Sequence, residues 1–293
     1  MGLRRLNGEE REEWQLRTVD VGDVRKAVFE LLRQAAHRLP DDYLAAMRRA
    51  RGKEKSATGQ QIIELLLDNA AYAETETIPT CQDTGMAILF VEVGQEVHFS
   101  GGAINDALQA ATRDAYADLR KSVVSDPLLR VNSGDNTPAL IHWEVVAGDR
   151  FKVSALQKGF GAELMSRVQM FPPSVGMDGV RSFVLETVEQ AGPNACPPLI
   201  VGAGIGGSLD TVGIAAKKAL LRPIGSRNPV PHLAELEEEL LEAINALGIG
   251  PQGLGGVVTA LAVHVETLAT HIAALPMAVN LNCSAPRRAT LEL

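Results

Sequence analysis

The sequence predicts a mixed α/β protein, rich in helices, arranged around a small mixed or antiparallel sheet. Segments with apolar residues at helical spacing alternate with short, β-branched runs that are typical of buried strands. The chain has no internal repeat, low-complexity tract or long Gly/Ser linker that would mark a domain boundary. We therefore expect residues 1–293 to form one unit, with a helical N-terminal part at 1–55 and a core at 56–293.

Three helices are predicted before the first strand. Apolar positions recur at helical spacing over residues 21–39, and Pro40 ends that helix. Asp41 and Asp42 then begin a second helix, because acidic side chains are favourable at a helix N-terminus. Residues 56–73 carry a third apolar face at the same spacing and predict a third helix.

The pattern then changes to strands. Residues 86–93 are apolar and β-branched, and Gly94 ends this predicted buried strand. Alternation over 140–146 predicts a half-buried strand, and a turn at 147–149 predicts antiparallel pairing with 151–155. The remaining predicted elements are a strand at 198–202 and helices at 102–119, 162–170, 178–191, 207–221 and 232–246. A glycine-rich segment and an apolar stretch follow, up to Cys283.

Composition narrows the classes of function. The net charge of −8 disfavours binding to nucleic acid or anionic membranes, and an aromatic content of 4% argues against base-stacking platforms. No apolar signal segment follows the first residues, and no apolar stretch reaches the roughly 18–20 residues that span a bilayer. We expect a cytoplasmic protein that binds neither nucleic acid nor membrane.

Three cysteines, Cys81, Cys196 and Cys283, lie beside residues that break regular structure. A buried structural cysteine usually sits in an apolar run instead. Three is an odd number for disulfides, and unpaired thiols indicate a reducing compartment. Three thiolates could hold a metal cluster that keeps one coordination position open, although the cysteine count alone favours three inert thiols.

Two motifs match signatures of other functions, but each lacks a further element that its signature requires. Residues 202–207 (GAGIGG) satisfy the G-x-G-x-x-G dinucleotide pattern after a predicted strand, but no carboxylate ends a second strand about 20 residues on. Tight packing of a strand against a helix explains these glycines better. Residues 264–266 (HVE) match half of the zinc deaminase signature, which also requires a C-x-x-C that this sequence lacks.

Residues 81–85 (CQDTG) place a thiolate, an amide and a carboxylate in a row before a strand. The thiolate can bind a metal, the amide can bond to a ligand and the carboxylate can move a proton. Asp83 can equally serve only to form an Asx turn. His271, in an otherwise apolar setting before Cys283, is on its own typical of a core histidine.

Together these segments resemble the iron–sulfur-dependent (class I) fumarate hydratases, in particular the α subunit of the two-subunit form. The resemblance runs from about residue 50 to 288 in the family's order and includes all three cysteines. The matching blocks are 81–85 (CQDTG), 136–139 (NTPA), 158–161 (KGFG), 195–198 (ACPP), 247–253 (LGIGPQG) and 283–285 (CSA).

The resemblance implies that Cys81, Cys196 and Cys283 hold a [4Fe–4S] cluster whose fourth iron has no protein ligand. That iron would be a Lewis acid for reversible hydration of fumarate to L-malate, a reaction of the tricarboxylic acid cycle, and would make the enzyme sensitive to oxygen. The small dicarboxylate substrate would be contacted by further residues of the chain. The implied substrate-binding residues are Gln82, Asp83, Arg120 and Gly161, and the implied catalytic residues are Asp83 and His271.

Two departures and three alternatives accompany this resemblance. Phe160 interrupts a glycine run of the family, and the family's second, β-type domain does not follow Cys283. We therefore expect a separate β subunit, an α2β2 heterotetramer, and little activity of this chain alone. The alternatives are the α subunit of L(+)-tartrate dehydratase, an NAD-dependent dehydrogenase using residues 202–207, and a non-catalytic iron–sulfur scaffold.

Overall fold

The computed structural model describes residues 16–293 and confirms the mixed α/β class. Its α-helices within this range are α1 (Val21–His37), α2 (Asp41–Lys53), α3 (Ala57–Glu76), α4 (Ile104–Ala115), α5 (Phe160–Leu164), α6 (Gly176–Ala191), α7 (Leu209–Ala219) and α8 (Pro231–Ala246). The division of the chain at residue 55 stays a prediction, and residues 1–15 lie outside the described range.

Twelve strands accompany these helices in the described range. They are β1 (Arg17–Asp20), β2 (Met86–Gly94), β3 (Val97–Ser100), β4 (Val124–Asp126), β5 (Val131–Asn132), β6 (Leu140–Val146), β7 (Phe151–Lys158), β8 (Arg167–Phe171), β9 (Leu199–Gly206), β10 (Ala260–Leu268), β11 (Leu275–Asn282) and β12 (Arg288–Glu292). Most of them belong to two four-stranded sheets, where the sequence predicted one.

Both four-stranded sheets are mixed. The β2 sheet has the order β12-β7-β2-β6, with β2 antiparallel to β7 and parallel to β6. The β9 sheet has the order β10-β9-β11-β8, with β9 parallel to β10 and antiparallel to β11. The pairs β1–β3 and β4–β5 form two small additional ladders.

Strand β2 is buried on both faces, which explains its unbroken apolar run. Leu89 and Val91 pack against helices α1 and α4. Ile88 and Phe90 face the other way, into a cluster with Met47 of α2 and residues of α3 and the β9 sheet. Each large apolar side chain buried in this way contributes about 1.5–3 kcal/mol. The shared cluster fixes the β2 sheet beside the β9 sheet.

The helix boundaries follow the local signals in the sequence. Asp20 precedes α1 and its carboxylate accepts a hydrogen bond from the Gly22 backbone N–H at 2.8 Å. Pro40 precedes α2, as predicted. Ser56 precedes α3 and accepts from the Gly59 N–H at 3.2 Å, which satisfies one of the unpaired donors of the first turn.

The predicted hairpin of residues 140–146 and 151–155 is wrong. Strands β6 and β7 lie on opposite sides of β2 and do not pair with each other. The link between them crosses the end of β2, where the Gly94 N–H donates to the Arg150 carbonyl at 2.6 Å. Because β6 is an edge strand, its side chains are also more exposed than predicted, and Val145 is 72% exposed.

The predicted helix at 162–170 is also wrong. The short helix α5 ends at Leu164, and β8 follows as an edge strand that pairs antiparallel with β11. Ser166 forms the junction, since its hydroxyl donates to the Ala162 carbonyl at 3.1 Å and accepts from the Leu281 N–H at 3.0 Å. Pairing with a distant strand therefore overrides local helix propensity.

The glycines of residues 202–207 serve packing, as the sequence predicted. Gly202 and Gly204 lie inside strand β9, not in a loop after it. A Cβ atom at Gly204 would clash with the backbone of α7 at Val212 and Ala216. These glycines let the helix lie close to the sheet, so the dinucleotide interpretation has no structural basis.

No helix among residues 16–293 is both long and apolar enough to cross a membrane.

Replacing Gly204 by alanine should lower the free energy of unfolding by roughly 2–3 kcal/mol, because α7 would have to move away from β9. Urea unfolding of the purified chain measures this change. The matched control is Gly213→Ala, within α7, where a Cβ meets nothing within 4 Å and alanine should stabilise the helix by up to about 1 kcal/mol. Equal effects of the two substitutions would contradict the packing role.

Candidate functional site

Three loops meet where the two four-stranded sheets adjoin. The loop containing Cys196 leads into β9, and Cys283 directly follows β11, whose end pairs with the start of β9. The Cys196 carbonyl accepts a hydrogen bond from the Ser284 N–H at 3.0 Å. The loop containing Cys81 is joined to them by Arg287, whose guanidinium donates to the Asp83 carbonyl at 2.5 Å.

The three thiols are free and share one electrostatic environment. Burial raises the pKa of Cys196, and the negative charges of Cys283, Cys81 and Asp83 raise it further. Cys196 is exposed and the other two cysteines are partly buried. The structure therefore brings together the three cysteines that the resemblance names as cluster ligands.

The three cysteines are of the residue type that holds iron–sulfur clusters. Among residues 16–293, no three His, Cys, Asp or Glu side chains converge closely enough to hold one ion. In a four-iron cluster each cysteine binds a different iron atom, so the sulfur atoms stand further apart than the ligands of one ion. Soft thiolates as the only shared donors also favour iron–sulfur chemistry.

Asp83 joins the first cysteine loop to the turn after β7. Its Oδ1 accepts from the Gly85 N–H at 3.0 Å, which is the Asx turn that the sequence allowed. Its Oδ2 accepts from the Phe160 N–H at 2.8 Å. Gly85 has φ +72°, and a Cβ there would lie 2.7 Å from the Lys158 carbonyl oxygen. Only glycine permits this close approach.

A cleft of about 490 Å³ lies beside this loop. Gln82, Asp83 and Arg120 all line it, so the structure brings together three of the implied substrate-binding residues. Phe160 also lines it, and its N–H is used by Asp83. Gly161 follows in the first turn of α5, where backbone N–H groups have no partner within the helix.

A larger cavity, of about 890 Å³, lies elsewhere, between the β2 sheet and α7. None of the implied site residues lines it. Its charged side chains are mostly paired with one another, as Lys152 is with Glu92 at 2.7 Å and Lys218 with Glu144 at 2.5 Å. A site for an anionic substrate needs unpaired cations, so we place the candidate site in the smaller cleft.

The backbone of Arg120 is held from two sides. Its carbonyl accepts from the Thr84 hydroxyl at 2.7 Å and from the Asn136 side-chain amide at 2.8 Å. The fully buried Asn136 also accepts from the Ser122 and Val123 N–H groups, at 2.5 and 3.1 Å. The block at residues 136–139 therefore fixes the segment that carries Arg120 beside the Cys81 loop.

Buried positive charge lies near the cysteine loops. Lys158 is 0% exposed and pairs with Glu163 at 3.2 Å. Burial lowers the pKa of Lys158, although Glu163 and Cys283 oppose that effect. Burial alone would raise the pKa of Glu163, but the ammonium groups of Lys158 and Lys217 hold it below its usual value. The lysines therefore favour negative charge in this region.

Arg287 adds a second buried cation. It is 2% exposed, and its Nε has no hydrogen-bond partner among the described residues. A buried guanidinium without a carboxylate partner is costly unless negative charge lies nearby. Asp83 supplies that charge, because its Oδ2 and the Arg287 Nη2 lie on the same side of Gly159. The sequence analysis did not identify Arg287, although this residue follows Cys283 closely, and it assigned no role to Lys158 within the block 158–161.

The glycine-rich segment holds the second and third cysteine loops together. The Gln252 side-chain amide donates to the Pro197 carbonyl at 2.7 Å and to the Ser284 hydroxyl at 3.0 Å. Further along, the buried carboxylate of Glu54 accepts hydrogen bonds from the Val257 and Val258 N–H groups. The N-terminal helices thereby help to position the segment that clamps the site.

His271 lies away from these loops. It precedes β11, whereas Cys283 directly follows that strand, so the two residues are at opposite ends of the β9 sheet. At about 3.4 Å per residue, the strand separates them by roughly 25 Å. His271 is exposed, and its Nδ1 accepts from the Ala273 N–H at 3.1 Å. It does not contact the cleft of its own chain.

Known proteins resemble this chain over most of its length. The family model described as fumarate hydratase (Fumerase) matches residues 25–292. The putative L(+)-tartrate dehydratase subunit alpha of Methanocaldococcus jannaschii is 41% identical over 272 residues, covering 89% of this chain and 94% of that protein. The L(+)-tartrate dehydratase subunit alpha of Escherichia coli K12 is 38% identical over 260 residues, covering 87% and 85%.

The family match defines the class of this protein as a hydro-lyase. The chain belongs to the fumarate hydratase family.

Replacing Asn136 by glycine should lower the free energy of unfolding by roughly 3 kcal/mol, because it leaves the Ser122 and Val123 N–H groups without their acceptor and removes one of the two donors to the Arg120 carbonyl. Glycine suits the φ of +61° at this position, so backbone strain does not contribute. Urea unfolding gives the value. The exposed Asn132→Ala is the control and should cost less than about 1 kcal/mol; a similar loss in both variants would argue against the role of Asn136.

Proposed function

We propose that this chain is the α subunit of an iron–sulfur hydro-lyase that reversibly hydrates fumarate to L-malate. The observation that carries the proposal is the cleft in which Gln82, Asp83 and Arg120 converge, beside a cysteine loop that adjoins two others. Family membership over residues 25–292 supports the reaction class.

Cys81, Cys196 and Cys283 would hold a [4Fe–4S] cluster in this proposal. When bound, such a cluster supplies a Lewis-acidic iron without a protein ligand, which suits the hydroxyl and adjacent carboxylate of the substrate. The buried cations Lys158 and Arg287 support this assignment, because they stabilise thiolates and other negative charge at the site.

The side chains in the cleft can bind and orient a dicarboxylate. The planar guanidinium of Arg120 pairs with one carboxylate through two parallel hydrogen bonds. The Gln82 amide and the Gly161 N–H add neutral donors to the substrate oxygens. The protein has a net charge of −8, so such local donors must attract the anionic substrate.

Asp83 is the proposed proton-transfer residue. During dehydration of malate its carboxylate takes the proton from the carbon next to the carbinol, and during hydration it returns that proton. The hydrogen bonds from the Gly85 and Phe160 N–H groups fix the orientation of the carboxylate. Each oxygen keeps a free lone pair, so positioning does not prevent proton transfer.

A separate β subunit would complete the enzyme, in an α2β2 assembly. The relatives at 38–41% identity are named as alpha subunits, which supports a two-chain enzyme. Their names also favour a second candidate reaction, the dehydration of L(+)-tartrate. Tartrate differs from malate by one hydroxyl group, so the same cleft residues would serve both reactions.

Turnover by the complete enzyme tests the function. The chain and its β partner are assembled without oxygen, and conversion of fumarate and of L(+)-tartrate is followed. We expect malate from fumarate, and no comparable activity of the chain alone. Faster turnover of tartrate would select the second candidate, and no turnover of either acid by an intact brown protein would refute the hydro-lyase function.

Single Cys81→Ser, Cys196→Ser and Cys283→Ser variants provide the cofactor control. Each should lose the brown absorbance of the cluster and the activity while its far-ultraviolet circular dichroism stays native. Wild-type enzyme exposed to air should lose both signals together. Full activity after complete loss of iron would contradict the cluster assignment.

We propose a role for His271 in the cleft of a second copy of the chain. Its distance of roughly 25 Å from Cys283 argues against a contact within one chain. The neighbouring Ile272 is 90% exposed, so this loop is accessible to another chain. An α2β2 assembly contains the second copy that such an arrangement requires.

Co-expression of two inactive variants tests this arrangement. One copy carries His271→Ala and the other carries Asp83→Asn, each with the β partner. If His271 acts across copies, mixed assemblies contain one complete site, and random pairing restores about a quarter of wild-type activity. Absence of restored activity, although mass spectrometry shows mixed assemblies, would contradict the proposal.

A further inference from the structure

A second arginine lines the cleft of the candidate site. Arg130 shares the cleft wall with Gln82, Asp83 and Arg120. Neither arginine side chain makes a hydrogen bond or ion pair with any residue in the described range 16–293. Lys121 also lines the cleft, but its ammonium donates to the carbonyls of Tyr116, Ala117 and Leu119. Two guanidinium groups therefore remain available to an anionic ligand.

The turn that carries Arg130 has a defined conformation. The carboxylate of Asp126 accepts from the Leu128 and Leu129 N–H groups, at 2.8 and 2.7 Å. Arg130 follows with φ +59°, a left-handed conformation that is unfavourable for a residue with a side chain. Such conformations persist where the surrounding structure enforces them, and they are frequent at ligand-binding sites.

Both arginines belong to one small hydrogen-bonded unit. The Asn132 side-chain amide donates to the Lys121 carbonyl at 3.1 Å, and the Ser133 N–H donates to the Val123 carbonyl at 2.8 Å. The segment after Arg120 and the segment after Arg130 are therefore neighbours. These hydrogen bonds hold the two segments together, so both guanidinium groups can reach one ligand in the cleft.

We propose that Arg130 binds the second carboxylate of the substrate, while Arg120 binds the first. This inference rests on the proposed function and adds the residue that selects dicarboxylates over monocarboxylates. A guanidinium fork matches a carboxylate in geometry and charge. A ligand with one carboxylate leaves Arg130 without a partner, so Arg130 does not increase the affinity for that ligand.

Binding of two non-reacting probes tests the proposal. Succinate has two carboxylates, whereas its monomethyl ester has one, and calorimetric titration of the assembled enzyme gives the Kd of each. Arg130→Gly should weaken succinate binding about 10- to 100-fold, the range expected for a lost charged hydrogen bond. The Kd of monomethyl succinate should stay unchanged. Glycine suits the φ of +59°, so the thermal unfolding midpoint should not fall.

Two further variants test whether the effect depends on the guanidinium group of Arg130. Arg130→Lys keeps the charge without the fork and should give an intermediate Kd for succinate. The exposed Arg49→Gln on α2, outside the cleft, should change neither Kd.

If Arg130→Gly weakens binding of both probes equally, or of neither, while the wild-type enzyme still turns over its substrate, the inference is wrong and the proposed function stands. If wild-type enzyme neither binds succinate nor turns over either acid, the proposed function fails and the inference fails with it.

Discussion

The site depends on the hydrogen bonds by which Asp83 joins the first cysteine loop to the turn after β7. Its two carboxylate oxygens accept from the Gly85 and Phe160 N–H groups, and the antiparallel pairing of Met86 with Lys158 brings these segments together. A side chain at residue 85 would block this approach. The same carboxylate therefore positions the loop that carries Cys81 and lines the cleft.

Local signals in the sequence predicted the elements whose causes are local. Ser56 begins α3 and Pro40 precedes α2, since caps and proline act on their own neighbours. The errors concern partners that are distant in sequence. Strand β8 forms because it pairs with the free edge of β11. Strand β6 pairs with β2 and not with β7, because the segment between β6 and β7 crosses the end of β2. The residues of a single segment do not show which distant strand will pair with it.

The site was predictable in its chemistry but not in its arrangement. The cysteine blocks and the segment Gln82 to Asp83 were identified from residue types and order. Arg287 and Arg130 were missed, because an arginine becomes informative only when its burial, or its lack of a partner in a cleft, is known. The position of His271 was not predictable either, because it depends on the length and direction of β11. The apolar run before Cys283 did not define where that strand begins or which way it runs.

The charges explain how an acidic protein can bind an anionic ligand. The net charge of −8 repels anions, but dissolved salt at physiological concentration screens that repulsion beyond about 8–10 Å. Within the site, Lys158 and Arg287 are shielded from water, so their fields act strongly on Glu163 and Asp83 beside them. Arg120 and Arg130 instead face solvent in the cleft and stay free for exchange with a substrate. The buried cations therefore act on neighbouring groups of the protein, whereas the two exposed arginines of the cleft remain available to a ligand.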